Sequence, residues 1–261
     1  MPALAERIRQ VEVQDGEVAV FWLAQAGFAF KTAAGRILYL DPYLSDVVET
    51  NFGFKRMMPA PIQAEEVRAD VILCTHEHLD HMDTDALPVV ARNTAARFAG
   101  PVECLKEFEK IGIPRARCTL LEEGATVEID GFRVTGVYAD HGEYAPDALG
   151  LVVDIDGVGI YHTGDTAYRP EQMRAAAGMR PDVLIPCING AFGNMDSRDA
   201  AQLVRDAAPR LAIASHFWMF VPHGGDPASF LQFCKDLAPK TEAIVMQPGE
   251  MRIAGRGRGP Q

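Results

Sequence analysis

A short apolar run, Val71-Ile72-Leu73-Cys74, leads without a turn into Thr75-His76-Glu77-His78-Leu79-Asp80-His81, and this stretch restricts the fold more than any other. Side chains alternate along a strand, so His76 and His78 project to one side, and a tight turn brings Asp80 and His81 round beside them. Neutral imidazoles crowded in an apolar hollow compete for too few partners, and protonated ones repel. A divalent cation satisfies such a set at once. The chain has 7 histidines in all. Outside this run, His141 and His216 each follow a strand-like segment, and so does Asp165 in Thr163-Gly164-Asp165-Thr166. A fold that aligns strand ends along one rim would gather these distant residues around one centre.

The rest of the chain reads as two blocks of short apolar strands with amphipathic helices appended. Strands are expected at 18–23, 28–32, 36–40, 71–74, 126–129, 132–138, 149–155, 158–161, 183–187, 211–214 and 243–246. Helices are expected at 84–91, with Asp83 as its cap, and at 102–111, 170–177, 197–207 and 227–237. Asp130-Gly131 and Asp156-Gly157, each between alternating apolar runs, are strong hairpin signals. Residues 46–63, rich in Phe, Met and Pro, read as a long irregular loop and a candidate lid. Two sheets packed face to face with helices outside suit this order. Residues 1–254 are expected to form one domain and 255–261 a flexible tail.

A formal net charge of −11 disfavours long polyanions, so neither nucleic acid nor an anionic membrane surface is an expected partner. The longest nearly apolar stretch, Val18 to Phe30, is broken by Gln25 and Gly27 and is too short to span a bilayer as a helix. Glu6, Arg7 and Arg9 interrupt the place where an export signal would need apolar residues, so the expected location is cytoplasmic. The 5 cysteines (Cys74, Cys104, Cys118, Cys187 and Cys234) form no Cys-x-x-Cys pair and read as buried small hydrophobes.

The His-x-His-x-Asp-His run, the later histidines and the Gly-Asp after a strand resemble the metallo-β-lactamase superfamily of metal-dependent hydrolases. That resemblance implies an α+β fold, an αββα sandwich of two facing mixed sheets with helices on both outer faces. It implies that His76, His78 and His141 hold a first metal, that Asp80, His81 and His216 hold a second, and that Asp165 bridges them. Within the superfamily, Phe21-Trp22-Leu23-Ala24-Gln25-Ala26-Gly27-Phe28, the segment from Ile160 to Tyr168, the loop from Asn189 to Asp199 and Ile213-Ala214-Ser215-His216-Phe217-Trp218 resemble the L-ascorbate-6-phosphate lactonases. The chain departs from some of those enzymes in being shorter and in carrying His141, which leaves the substrate open.

Ligation by nitrogen and oxygen without thiolate suits Mn, Zn or Fe, as one ion or two. Two ions roughly 3.5–4 Å apart lower the pKa of water toward ~7, which would supply the nucleophile. No Gly-x-Ser-x-Gly elbow offers a serine in its place. Asp80 enters both the metal set and the catalytic set, as an ionised ligand and not a free base. His223, on a loop beyond the last ligand, is the candidate donor to substrate or leaving group. Asp41 is placed to accept a hydrogen bond from a ligand imidazole and fix its tautomer. His162 reads as a satisfied core histidine. Lys55, Arg56, Arg169 and Arg198 are the candidate contacts for an anionic, phosphorylated small molecule. Asn189 is a further candidate substrate contact, and Trp218 and Phe220, next to His216, read either as a wall of the pocket that meets substrate or as core. The leading expectation is a lactonase acting on a sugar-acid lactone. A phosphodiesterase on a nucleotide or phospholipid-type ester is the alternative, and an iron oxidoreductase a third, against which His78 speaks because a diiron form would place a carboxylate there. The oligomeric state is open, a homo-oligomer included.

Overall fold

The computed structural model describes residues 3–255. The first half runs α1 (Leu4–Gln10), β1 (Glu17–Trp22), β2 (Phe28–Thr32), β3 (Ile37–Leu40), α2 (Val47–Phe52), β4 (Val71–Leu73), α3 (Ala86–Asn93), β5 (Arg97–Gly100), α4 (Val102–Lys110) and β6 (Cys118–Leu120). The second half runs β7 (Thr126–Ile129), β8 (Phe132–Tyr138), β9 (Leu149–Ile155), β10 (Val158–His162), α5 (Pro170–Gly178), β11 (Val183–Ile185), α6 (Ser197–Ala207), β12 (Leu211–Ile213), α7 (Pro227–Leu237), β13 (Glu242–Ile244) and β14 (Met251–Gly255).

Among the described residues the strands form two seven-stranded mixed sheets, ordered β14-β1-β2-β3-β4-β5-β6 and β13-β12-β11-β10-β9-β8-β7. Each begins with antiparallel hairpins and continues in parallel strands, β3 through β6 in one and β10 through β13 in the other. Both expected hairpin turns form with both residues at positive φ: Asp130 46° and Gly131 84°, Asp156 52° and Gly157 82°. That double left-handed geometry matches the twist of the flanking strands.

The alternation along β1 divides the core. Val18, Val20 and Trp22 face the second sheet, packing in one cluster with Val134, Leu151 and Val153. Ala19 and Phe21 face outward, against Ile8 of α1, Leu87 of α3 and Phe108 of α4. Helices α5, α6 and α7 cover the second sheet through Met173, Leu203, Val204 and Phe230. All five cysteines are buried and unpaired, as the sequence implied. No helix among the described residues is long and apolar enough to cross a membrane.

Four features differ from the sequence reading. Residues 46–63 are not wholly irregular, because α2 forms within them and ends at Gly53, whose φ of 74° closes the helix. Six residues carry too little periodicity to reveal that helix. Strands β5 and β6 and helix α1 are similarly short and escaped the pattern. The chain's last described strand, β14, returns to the first sheet, and Gly255 pairs with Glu17 instead of beginning a tail. The remainder of that expected tail, 256–261, lies outside the described residues. Helix α3 starts two residues later than expected, with Asp83 Oδ1 accepting from the backbone N–H groups of Asp85 and Ala86.

Phe30 stands mid-strand between the sheets, 1% exposed. Phe30→Ala should therefore cost about 3–5 kcal/mol of stability. Urea unfolding should show a lower midpoint with an unchanged slope; an unchanged midpoint would contradict the two-sheet core.

Candidate metal centre

The functional side chains sit where strands end. His76 lies just past β4, Asp165 past β10 and His216 past β12, at the carboxyl ends of strands in the parallel runs, where open α/β sheets bind ligands. His141 lies past β8, which is antiparallel to both its neighbours. Gly164 lets these ends meet. Its φ is 59°, and a Cβ there would lie 2.9 Å from the Leu149 carbonyl oxygen and 3.0 Å from Thr75 Cβ.

Three groups of ligand atoms form: His76 with His78 and His141; His76 with His81 and Asp165; and Asp80 with His216 and His223. His76 Nε2 is 3.0 Å from His78 Nδ1, and His81 Nε2 is 3.1 Å from His216 Nε2. Asp165 reaches across the groups. Its Oδ1 lies 3.1 Å from His216 Nε2 and 3.3 Å from His81 Nε2, and its Oδ2 lies 3.7 Å from His141 Nε2. The sequence places Asp80 with His81 and His216. In the structure these three do converge, His81 Nε2 at 3.8 Å and His216 Nε2 at 3.5 Å from Asp80 Oδ2 and 3.1 Å from each other, and His223 joins Asp80 and His216 as a further group of ligand atoms.

A second ring of contacts fixes these side chains. Asp41 Oδ2 accepts from His81 Nδ1 at 2.8 Å and from Thr75 Oγ1 at 2.7 Å, while its Oδ1 accepts from the Thr75 backbone N–H. Asn194 Nδ2 donates to Asp165 Oδ2 at 2.7 Å. Gln25 Nε2 donates to Asp80 Oδ2 at 2.6 Å. His162 is buried and acts as a strut: Nε2 donates to the Ala26 carbonyl and Nδ1 accepts from the Gly164 N–H. Non-glycine residues at positive φ gather here, among them Ala24, Gln25, Asp41, Phe192, His216 and Trp218. Such conformations persist only where the surroundings over-determine them.

The charges balance around a place for a cation. Burial pushes His76 well below the ordinary histidine range and takes His141 down to about 4. Burial alone would lower His81 as well, but Asp165, Asp41 and Asp80 outweigh it and hold His81 well above that range. Burial alone would raise Asp165, yet His216 and His81 hold its carboxyl well below the usual range. Three carboxylates thus draw positive charge to the centre of the cluster. Asp165 Oδ1 is buried without a hydrogen-bond donor although two ring nitrogens stand beside it. An orphaned carboxylate oxygen among converging imidazoles, with no thiolate, fits a divalent metal.

Above the centre opens a cavity of about 460 Å³. His78, Asp80, His141, Asp165 and His223 form its floor, and Val48, Phe52, Phe54, Leu79, Tyr144, Phe192 and Phe220 its walls, with Glu77 at the side. Among the described residues no lysine or arginine lines it. The four expected cations stand elsewhere. Arg56 ties the 46–63 segment together, donating to the carbonyls of Met58 and Ser45 and lying over the Tyr43 ring. Arg169 pairs with Asp140 at 2.6 Å on the surface. Arg198 lies over Phe233 and, with Asn189, lines a separate cavity at the start of α6. Lys55 is exposed. Trp218 is 52% exposed, its Nε1 donating to the Gly225 carbonyl, and it is not among the residues lining the cavity. Only Trp218 neighbours a candidate ligand, His216, in the chain, and none of these six expected contacts is among the residues lining the cavity. Sequence reasoning missed Gln25, Asn194 and most of the aromatic wall; of the two aromatic residues it placed there beside His216, Phe220 lines the cavity and Trp218 does not. The one available signal was an amide interrupting the apolar run at Gln25.

Residues 19–216 match the family model of a Beta-lactamase superfamily domain. The chain is 30% identical over 241 residues to a UPF0173 metal-dependent hydrolase of Herpetosiphon aurantiacus, covering 88% of this chain and 95% of that protein. It is likewise 30% identical over 242 residues to one of Archaeoglobus fulgidus, covering 88% and 96%. Among solved structures it is similar to a metallo hydrolase of the hyperthermophilic archaeon Ignicoccus hospitalis, with a TM-score of 0.72, 24% identity and coverage of 91% and 98%.

Asp41→Asn leaves one acceptor oxygen where three donors now converge. Affinity for a divalent metal should fall about 10- to 100-fold, the effect typical of losing such an outer partner. Competition with a chelator measures this, and circular dichroism checks the fold. Unchanged affinity in a folded variant would contradict the role given to Asp41.

Proposed function

Because the chain belongs to the metallo-β-lactamase superfamily and, within it, to the UPF0173 metal-dependent hydrolases, we propose that it hydrolyses a small uncharged carboxylic ester, a lactone in the simplest case, with an apolar body. The observation that carries this reading is the aromatic cavity directly above the candidate metal centre, with no lysine or arginine among the described residues that line it. A phosphorylated sugar lactone would bring a phosphate remote from its reacting carbonyl into that cavity with no guanidinium or ammonium to pair it, and an unpaired buried charge is strongly disfavoured. A phosphodiester would find only the metal itself to pair its charge. The anionic substrate expected from Lys55, Arg56, Arg169 and Arg198 loses its support, because those residues are occupied or placed elsewhere.

His76, His78 and His141 would hold one ion, Asp80, His81 and His216 would offer a second position, and Asp165 stands between them. A bound metal would polarise the carbonyl and acidify water. Other roles belong to the chain itself. The aromatic walls seat the apolar part of the substrate and exclude water, which strengthens every polar contact below. His223 faces the Gln25 amide through Nδ1, at 3.3 Å from the amide nitrogen. An amide nitrogen can only donate, so when this hydrogen bond is made Nδ1 accepts and the ring proton lies on Nε2. Burial, aided by His216, takes His223 down to about 4. The ring is therefore neutral at pH 7 and offers Nε2–H as a hydrogen-bond donor to the substrate's carbonyl or departing oxygen. Phe192 and Phe220 present edge contacts to the ring and hold its plane.

The test is turnover of a panel at equal metal loading: aliphatic and aromatic lactones, aryl esters, a phosphorylated sugar lactone and bis-p-nitrophenyl phosphate. The neutral lactones or esters should exceed both phosphorylated compounds in kcat/KM by about a hundredfold or more, given the cost of burying an unpaired charge. Preference for either phosphorylated compound would overturn the proposal.

A further inference from the structure

The turn between β1 and β2 brings one more polar side chain into the centre, and its placement bears on how many ions the centre holds. Gln25 is fully buried. Its amide nitrogen lies 2.6 Å from Asp80 Oδ2, 3.1 Å from His216 Nε2 and 3.3 Å from His223 Nδ1. Those three atoms belong to the three residues that form one of the candidate ligand groups. The amide nitrogen therefore stands where a cation shared by Asp80, His216 and His223 would stand, and its two N–H hydrogens meet Asp80 and one of the two imidazole lone pairs that such a cation would need.

This placement is built into the backbone. Ala24 and Gln25 take φ values of 73° and 51° in succession, a conformation with a steric cost for both residues. The Gln25 carbonyl is gripped from two sides, accepting from Trp22 Nε1 at 3.0 Å and from the His216 N–H at 3.0 Å. Side chain and main chain of Gln25 thus both engage His216. The far end of the amide, Oε1, is buried with no partner. An unsatisfied oxygen is tolerated because the nitrogen end is so well held, and the Asp80 carboxylate makes that contact a charge-assisted hydrogen bond. No comparable intruder stands among His76, His78 and His141, whose ring nitrogens face one another directly.

We propose that Gln25 makes the two cation positions unequal. The chain retains one divalent ion through His76, His78 and His141, and its own carboxamide occupies the second position, which an ion enters only by displacing that amide. This inference rests on reading the cluster as a metal centre. The amide supplies part of the positive field that Asp80 and its neighbours would otherwise draw from a second ion.

The experiment is metal content of the desalted full-length protein by elemental analysis, together with calorimetric titration of the stripped protein by Zn²⁺ and, separately, Mn²⁺. Gln25→Asn is the informative variant: asparagine accepts positive φ readily, and its amide is one methylene too short to reach Asp80 Oδ2. Gln25→Gly, which takes that φ without steric cost, is the second. Wild type should retain one ion per chain and the variants two, with the second-ion affinity rising about ten- to a hundredfold, the weight of one charge-assisted hydrogen bond. Two ions retained by wild type would overturn the proposal. So would folded variants that hold one ion or fewer, the latter making Gln25 a ligand. No ion retained or bound by wild type would instead overturn the metal reading on which the proposal rests.

Discussion

The structure turns on the cost of burying imidazoles and carboxylates together in a hollow that water scarcely enters. His76 and His81 are fully buried, and Asp165 nearly so. Groups of this kind are stable inside a protein only when charge and hydrogen-bonding capacity are matched. Here the carboxylates Asp41, Asp80 and Asp165 outweigh burial and draw a proton onto His81, while His76 and His141 stay neutral with lone pairs to offer. A divalent ion satisfies that arrangement better than any redistribution of protons, because it accepts several lone pairs at once.

The fold supplies this constellation by repeating one device. Each sheet passes from antiparallel hairpins to parallel strands, and the parallel strands of both sheets deliver their carboxyl ends to the same rim. Short loops then carry His76, His141, Asp165 and His216 each three residues beyond the end of a strand, and the turn after His76 brings His78, Asp80 and His81. The positive φ values at Gln25, Asp41 and His216 lie in those loops, and Gly164 keeps the close approach open where any side chain would collide. Backbone strain and side-chain convergence therefore occur at one place, and the cores on both faces of the first sheet hold them there.

Much of this was legible in the sequence. The His-x-His-x-Asp-His run, the strand-end positions of His141, Asp165 and His216, and the Asp-Gly turns are local signals whose chemistry forces their geometry. Asp41 could be read as a partner for a ligand imidazole because it also closes a strand facing the same rim. Other features were not legible, since they depend on where side chains point after folding. Arg56 and Arg169 look like phosphate contacts by position, but the folded chain engages them with backbone carbonyls and with Asp140. The aromatic wall draws on residues 48–54, 144, 192 and 220, whose proximity no sequence period encodes. Helix α2 and strands β5 and β6 are too short to show periodicity, and Gln25 reads as an interruption until the turn around it is seen.

The central claim is that these distant residues form one cation-binding centre. The most direct measurement is a crystal structure of the protein grown with Mn²⁺ or Zn²⁺, with diffraction recorded on both sides of the metal's absorption edge. The account predicts an anomalous peak enclosed by His76, His78 and His141 with Asp165 at its edge. A map with no peak in that hollow, or with its strongest peak elsewhere on the chain, would contradict it.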